Sequence, residues 1–169
     1  MTEVNERQDT LVCMEVWGGN RSVVRTIELP GLTAWVYSSS AGANNEGGDV
    51  YYVSLCGQPV LSRVALADVS GHGAEVSAPA QLLHALMREH INTWDQTDFV
   101  RELNHSFRGC VANGKYATAA VLGILRDTGE TAFTNAGHLP PLWYRREADV
   151  GTGWMKKRAT ERVAWTACP

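Results

Sequence analysis

The sequence predicts an α+β layered sandwich. Three observations point there: strand-type segments fill the chain as far as Ala67, two amphipathic helical segments lie between Ala74 and Gly109, and strand-type segments return from Tyr116. Strands grouped on either side of a helical pair fit stacked layers better than the regular alternation of a parallel doubly wound sheet.

Trp, Tyr, Val and Ile scattered through the first third favour extended structure. Ser22 to Leu29 reads as a strand that ends at Pro30-Gly31, a turn dipeptide, and Leu32 to Tyr37 restarts it. Ser38 to Gly48 is small, polar and aperiodic, so a mobile surface loop is expected to deliver the chain to Asp49. Val50 to Cys56 and Val60 to Ala67 are separated by Gly57-Gln58-Pro59, which is hairpin spacing, and the second strand runs out at Asp68. Val76, Ala80, Leu83, Met87 and Ile91 recur at steps of three and four, predicting a helix over 74–91 with one buried face. Asp95 and Thr97 are both good N-caps for a second helix, whose stripe is Phe99, Leu103 and Phe107 and whose end is Gly109. Tyr116 to Leu125 and Thr131 to Asn135 flank the turn Asp127-Thr128-Gly129-Glu130, a further hairpin, and Leu142 to Arg145 is expected to add a short strand. Residues 1–31 read as a lead-in segment of strand character, and 32–169 as one domain.

Composition sets the class. The 169 residues are 44% hydrophobic and 20% charged with a net charge of −3, the balance of an ordinary soluble domain. At this length roughly 70% of the unfolded chain's surface can be buried, so no disulfide or structural metal is required. Cys13, Cys56, Cys110 and Cys168 are widely spaced without CxxC, as expected of free thiols in a reducing cytoplasm. The longest strongly apolar run, Ala117 to Leu125, is about half the roughly 20 residues of a membrane-spanning helix, and residues 1–10 lack the pattern of a secretory signal. No cationic block is longer than Lys156-Lys157-Arg158, which argues against nucleic acid.

Chemistry concentrates at three places. In Ala67-Asp68-Val69-Ser70-Gly71-His72-Gly73 a carboxylate ends an apolar strand and a glycine-rich turn enters a helix. Glycines such as Gly71 and Gly73 permit positive φ and close approach of a ligand, and a helix start favours an anion such as phosphate. A carboxylate beside an anion site suggests a hard divalent cation between them. Gly47-Gly48-Asp49 is a second carboxylate on a glycine turn, and by the hairpin reading Asp49 and Asp68 sit at opposite ends of adjacent segments, with a two-residue offset still able to bring both to one rim. Two carboxylates at one rim repel unless a metal lies between them. The plainer alternative is that Asp68 caps the helix and Asp49 fills a turn. In Thr134-Asn135-Ala136-Gly137-His138-Leu139-Pro140-Pro141, Asn135 and His138 are expected to hydrogen-bond the loop around the site, with metal ligation by His138 or His72 as the other reading.

Together Gly47-Gly48-Asp49-Val50-Tyr51, the Asp68 motif, Ala117-Thr118-Ala119-Ala120 and Asn135 to Pro141 resemble the PPM (PP2C-like) metal-dependent protein phosphatases, in their SpoIIE-like and RsbU-like bacterial serine phosphatase branch. The resemblance implies an α-β-β-α sandwich with two Mn2+ or Mg2+ ions at one edge, and hydrolysis of phosphoserine or phosphothreonine by activated water. It implies that Asp68 bridges the metals, that the Val69 carbonyl is a further ligand, and that Asp49 binds metal and orients the water. The histidine that eukaryotic relatives carry two residues after the bridging aspartate is replaced here by Ser70. Tyr52 stands where many relatives have a helper carboxylate, and nothing after Asp149 supplies the later aspartate pair. The domain is therefore expected to be incomplete at its C-terminal end, leaving a sheet edge and the face behind Val121 and Leu122 uncovered and favouring self-association as a homodimer. The implied substrate is a phosphorylated regulatory protein such as an anti-sigma-factor antagonist, and the alternative function is a catalytically impaired module that binds a phosphoprotein.

Overall fold

The computed structural model describes residues 14–19, 22–39, 47–56, 61–111 and 114–142. Among the described residues, seven strands and two α-helices follow in the order β1 (Met14–Gly19), β2 (Val23–Leu29), β3 (Leu32–Ser38), β4 (Asp49–Cys56), β5 (Leu61–Val69), α1 (Ser77–Glu89), α2 (Gln96–Cys110), β6 (Ala117–Leu125) and β7 (Thr131–Ala136). Strands β1-β4-β5-β6-β7 form an antiparallel sheet in that order, and β2 pairs with β3 in a second, two-stranded sheet. This is an α+β fold, in which helices, large sheet and small sheet supply three layers of an α-β-β-α arrangement among the described residues.

Alternation along the central strands creates two cores. Val50, Tyr52, Ala65, Ala67 and Val69 face the helices and pack with Val76, Ala80, Leu83, Met87, Phe99, Val100 and Leu103. Tyr51 and Val53 point the other way, against Ile27 and Leu29 of the small sheet. Pro30 and Gly31 turn the β2–β3 hairpin, with Gly31 at φ 79°, as a turn with proline then glycine at its centre requires. The residue boundary drawn at 31 thus falls within this hairpin turn, and β1 joins the large sheet beside β4.

The expected single helix over 74–91 is instead a one-turn 3-10 segment, Gly73–Val76, followed by α1. Asp95 caps α2, accepting from the Asp98 N–H at 2.9 Å. Of the pair expected to be left uncovered, Val121 is fully buried under the helices, which corrects the expectation there, whereas Leu122, on the opposite face of β6, is only half-buried. Leu142 lies outside any strand, and the rest of the expected 142–145 strand, like residues 40–46 of the expected loop, falls outside the described residues. No helix among the described residues is long and apolar enough to cross a membrane, and Cys110 is a free, exposed thiol.

Two buried polar side chains tie the layers together. Arg63 on β5 is 1% exposed; its guanidinium donates to the carbonyls of Ile91, Thr93 and Trp94 at 2.9, 3.0 and 3.2 Å and lies 4.5 Å from the centre of the Phe99 ring. Gln96 opens α2 by donating to Val121 O, Ala132 O and Thr134 Oγ1, and Gly123 is glycine because a Cβ there would stand 2.6 Å from Gln96 Oε1.

His84 on α1 stacks on Trp17 of β1, ring centres 3.7 Å apart, and its buried Nε2 has no hydrogen-bond partner among the described residues. Burial pushes the imidazole below its ordinary 6.5; Glu15 acts against this and Arg88 reinforces it. A histidine whose folded value is depressed contributes stability above about 6.5 that is lost as pH falls through the folded value. Urea midpoints of the wild-type chain should therefore fall between pH 7 and 5 more steeply than those of His84→Phe. Parallel slopes would show that His84 does not titrate on unfolding.

Candidate active site

Antiparallel pairing brings the first residue of β4 beside the penultimate residue of β5. Asp49 is the direct cross-strand partner of Asp68, with no offset, which corrects the placement at opposite ends of adjacent segments. The cause is that β4 starts one residue earlier and β5 runs two residues further than hydrophobic alternation indicates, since both aspartates continue strands whose apolar patterns have ended. The Val69 N–H donates to the Gly48 carbonyl at 3.1 Å, so the adjacent 49/68 pair is of the non-hydrogen-bonded kind, in which side chains stand closest. Both aspartates are exposed and lie on the face that carries Tyr51, at the rim of the space between the two sheets.

Desolvation by the surrounding chain, then the like charge of Asp68, holds the Asp49 carboxyl above its ordinary 3.8, with His138 acting in the opposite sense. A carboxyl with a raised folded value contributes stability that is present below the ordinary value and lost as pH rises through the folded one. At neutral pH the ionised pair therefore costs stability, and Asp49→Asn should raise the urea midpoint of the metal-free chain at pH 7. A lowered midpoint would mean that Asp49 makes stabilising contacts outweighing the repulsion.

Oxygen donors converge beside Gly48. A Cβ there would stand 2.5 Å from the Val69 carbonyl oxygen and 3.4 Å from Asp68 Oδ1, so glycine keeps open a space that both oxygens border. Gly19, at φ 102°, is equally constrained, because a Cβ would lie 2.1 Å from the Asp49 carbonyl oxygen. Asp68 in turn pairs with Thr118 on β6, whose Oγ1 is 2.8 Å from His138 Nδ1. Asn135 fixes the His138 loop from both sides: its Oδ1 accepts from the His138 N–H at 2.8 Å, and its Nδ2 donates to the His138 carbonyl at 2.9 Å. Asp49, Asp68, Thr118 and His138 thus follow one another across the sheet.

The glycine turn runs beside this row. Ser70 is held by Tyr116, donating its N–H at 2.8 Å and accepting at Oγ at 3.0 Å. Gly71 and Gly73 have φ of 115° and 71°, a region disfavoured for residues with a Cβ. A Cβ on Gly71 would stand 2.7 Å from Lys115 Nζ and 2.9 Å from Glu75 Oε1, which are themselves paired at 3.0 Å. The Lys115 hydrogen bond and charge hold the Glu75 carboxyl below its ordinary range. Tyr52 faces the helices, where its hydroxyl donates to Glu15 Oε2 at 2.8 Å, so a carboxylate at that position would stand across the sheet from Asp49.

Two carboxylates and a carbonyl are hard oxygen donors of the kind Mg2+ and Mn2+ accept while keeping several waters. The donor types gathered at this rim fit such an ion. Among the described residues no three His, Cys, Asp or Glu side chains come together, so neither His72 nor His138 completes a cluster there.

The model of the family described as stage II sporulation protein E (SpoIIE) matches residues 61–159, more than half of the chain. The chain belongs to the SpoIIE family. This is a family of PP2C-like bacterial serine phosphatases, which are generally Mn2+ or Mg2+ dependent. No curated protein matches the chain. The SpoIIE match takes in Asp68, Val69, Gly71, Gly73, Asn135 and His138 but begins after Asp49, which joins them through strand pairing.

Thr118 lies in the quoted Ala117-Thr118-Ala119-Ala120 segment but received no role from it; its contact with His138 needs the β6–β7 geometry. Gly19 and the Lys115–Glu75 pair carried no signal, although the Gly18-Gly19 dipeptide marks a place where backbones could approach closely.

Proposed function

We propose that this chain is a metal-dependent phosphatase that hydrolyses phosphoserine or phosphothreonine on a small phosphorylated regulatory protein, of the kind that antagonises an anti-sigma factor. The observation that carries this reading is the direct pairing of Asp49 with Asp68 beside the Val69 carbonyl, in a chain of the SpoIIE family. Asp49, Asp68 and Val69 O would hold the divalent ion, and the family arrangement has two. When bound, the metal supplies Lewis acidity that makes water nucleophilic near neutral pH and offsets phosphoryl charge. Asp49 orients the attacking water toward phosphorus. The turn at Gly71 and Gly73 lets the phosphoryl oxygens approach the backbone, and Asn135 holds the His138 loop at the far end of the row. A serine hydroxyl is too weak an acid for the general-acid role, so none passes to Ser70, whose Oγ accepts from the Tyr116 N–H. Self-association as a homodimer in the cytoplasm belongs to the same proposal.

The test is release of inorganic phosphate from a phosphoserine peptide on addition of Mn2+, reversed by a chelator. Peptide binding without phosphate release would instead identify a phosphoprotein-binding module. Gly71→Val should cost about 1–3 kcal/mol of stability and abolish competition by inorganic phosphate while Mn2+ still binds. Unchanged phosphate competition in a folded Gly71→Val chain would remove the turn from the substrate site.

A further inference from the structure

A cleft of about 220 Å3 opens directly from the carboxylate row, bordered by Asp49 and His138 and otherwise lined largely by Val36, Tyr37, Tyr51 and Leu66. Its walls come from both sheets, so it is the open end of the inter-sheet core. Buried Tyr51 is fixed against β1, because only glycine at position 18 leaves room for its ring. Leu66 is 46% exposed, a large apolar side chain held at the mouth of a polar site, and Val36 points toward the large sheet from β3, whereas Tyr37, 77% exposed, alternates to the outer face of the small sheet. The volume is below the roughly 300–1,000 Å3 of whole-ligand pockets and suits a single side chain.

Strand geometry says which side chain. Tyr51 pairs directly with Leu66, two residues along from the Asp49–Asp68 pair and on the same face. That separation is roughly 7 Å, which is also the spacing of alternate, same-side residues in an extended peptide. Resting on the phosphatase reading of the carboxylate pair, we propose that the cleft is a specificity subsite that receives a bulky apolar side chain two residues from the phosphoserine of an extended substrate. The flanking residue between them points away from the sheet and is unconstrained.

The experiment compares two phosphoserine peptides in calorimetric binding to the full chain, one with Leu and one with Gly at both positions two residues from the phosphoserine. The Leu peptide is expected to bind about tenfold tighter, the range for burying one aliphatic side chain in part. Leu66→Ser and, on the other sheet, Val36→Ser should each bring the two affinities together. Mn2+-dependent hydrolysis of p-nitrophenyl phosphate, which has no flanking residues, is measured in parallel. Equal affinities, or no binding of either peptide, would overturn the subsite, and if p-nitrophenyl phosphate is still hydrolysed the phosphatase reading survives. A Leu preference lost in both variants supports the subsite even where hydrolysis is absent, and in that case the phosphatase reading alone fails.

Discussion

Arg63→Ala is expected to lower stability by about 3–5 kcal/mol, the range for leaving buried hydrogen-bonding groups unpaired together with a cavity. Three carbonyls, those of Ile91, Thr93 and Trp94, accept from this one guanidinium at the end of α1 and the approach to α2. They would lose their partner, and Phe99 would lose the cation over its ring. For a chain of this size the melting temperature should drop by roughly 6–20 °C. Arg63→Lys should recover only a small part, since an ammonium cannot span three acceptors with the planar fork of a guanidinium. Calorimetric melts of the two variants check this, and a drop of only a degree or two in Arg63→Ala would mean that water takes over the carbonyls.

On the proposed reading, Asp68→Asn is expected to reduce phosphoserine hydrolysis by at least about a thousandfold, because transition-state charge stabilisation of several kcal/mol would go with an ion that Asp68 would help to hold. The fold should be retained or slightly firmer, since the amide removes the repulsion between direct neighbours Asp49 and Asp68. Loss of activity without loss of structure separates this variant from Arg63→Ala. Phosphate release near the wild-type rate would mean that other residues supply the chemistry.

How much of this was legible in the sequence depends on the range of the signal. Helix α2 was legible to within a residue or two because its cap, its stripe and its apolar spacing are all local. So were the turns at Pro30-Gly31 and Asp127 to Glu130, whose residue types set their backbone conformation. The aspartates were legible as chemistry but not as neighbours. Their strands end in polar residues, so alternation gave out before the register could be counted through to Asp49 and Asp68. Arg63 and Gln96 gave no signal, because each reads as an ordinary polar residue until the carbonyls that it satisfies, 25 or more positions away, are folded over it. The 3-10 turn at Gly73–Val76 escaped for the opposite reason, since Val76 lies on the same apolar stripe as α1.

The most direct measurement is the Mn2+ affinity of the wild-type chain beside those of Asp68→Asn and Asp49→Asn, by calorimetry at neutral pH. A metal site at the β4–β5 rim requires saturable binding that weakens at least tenfold in Asp68→Asn and by less in Asp49→Asn. Equal Mn2+ affinity for wild type and Asp68→Asn would contradict it.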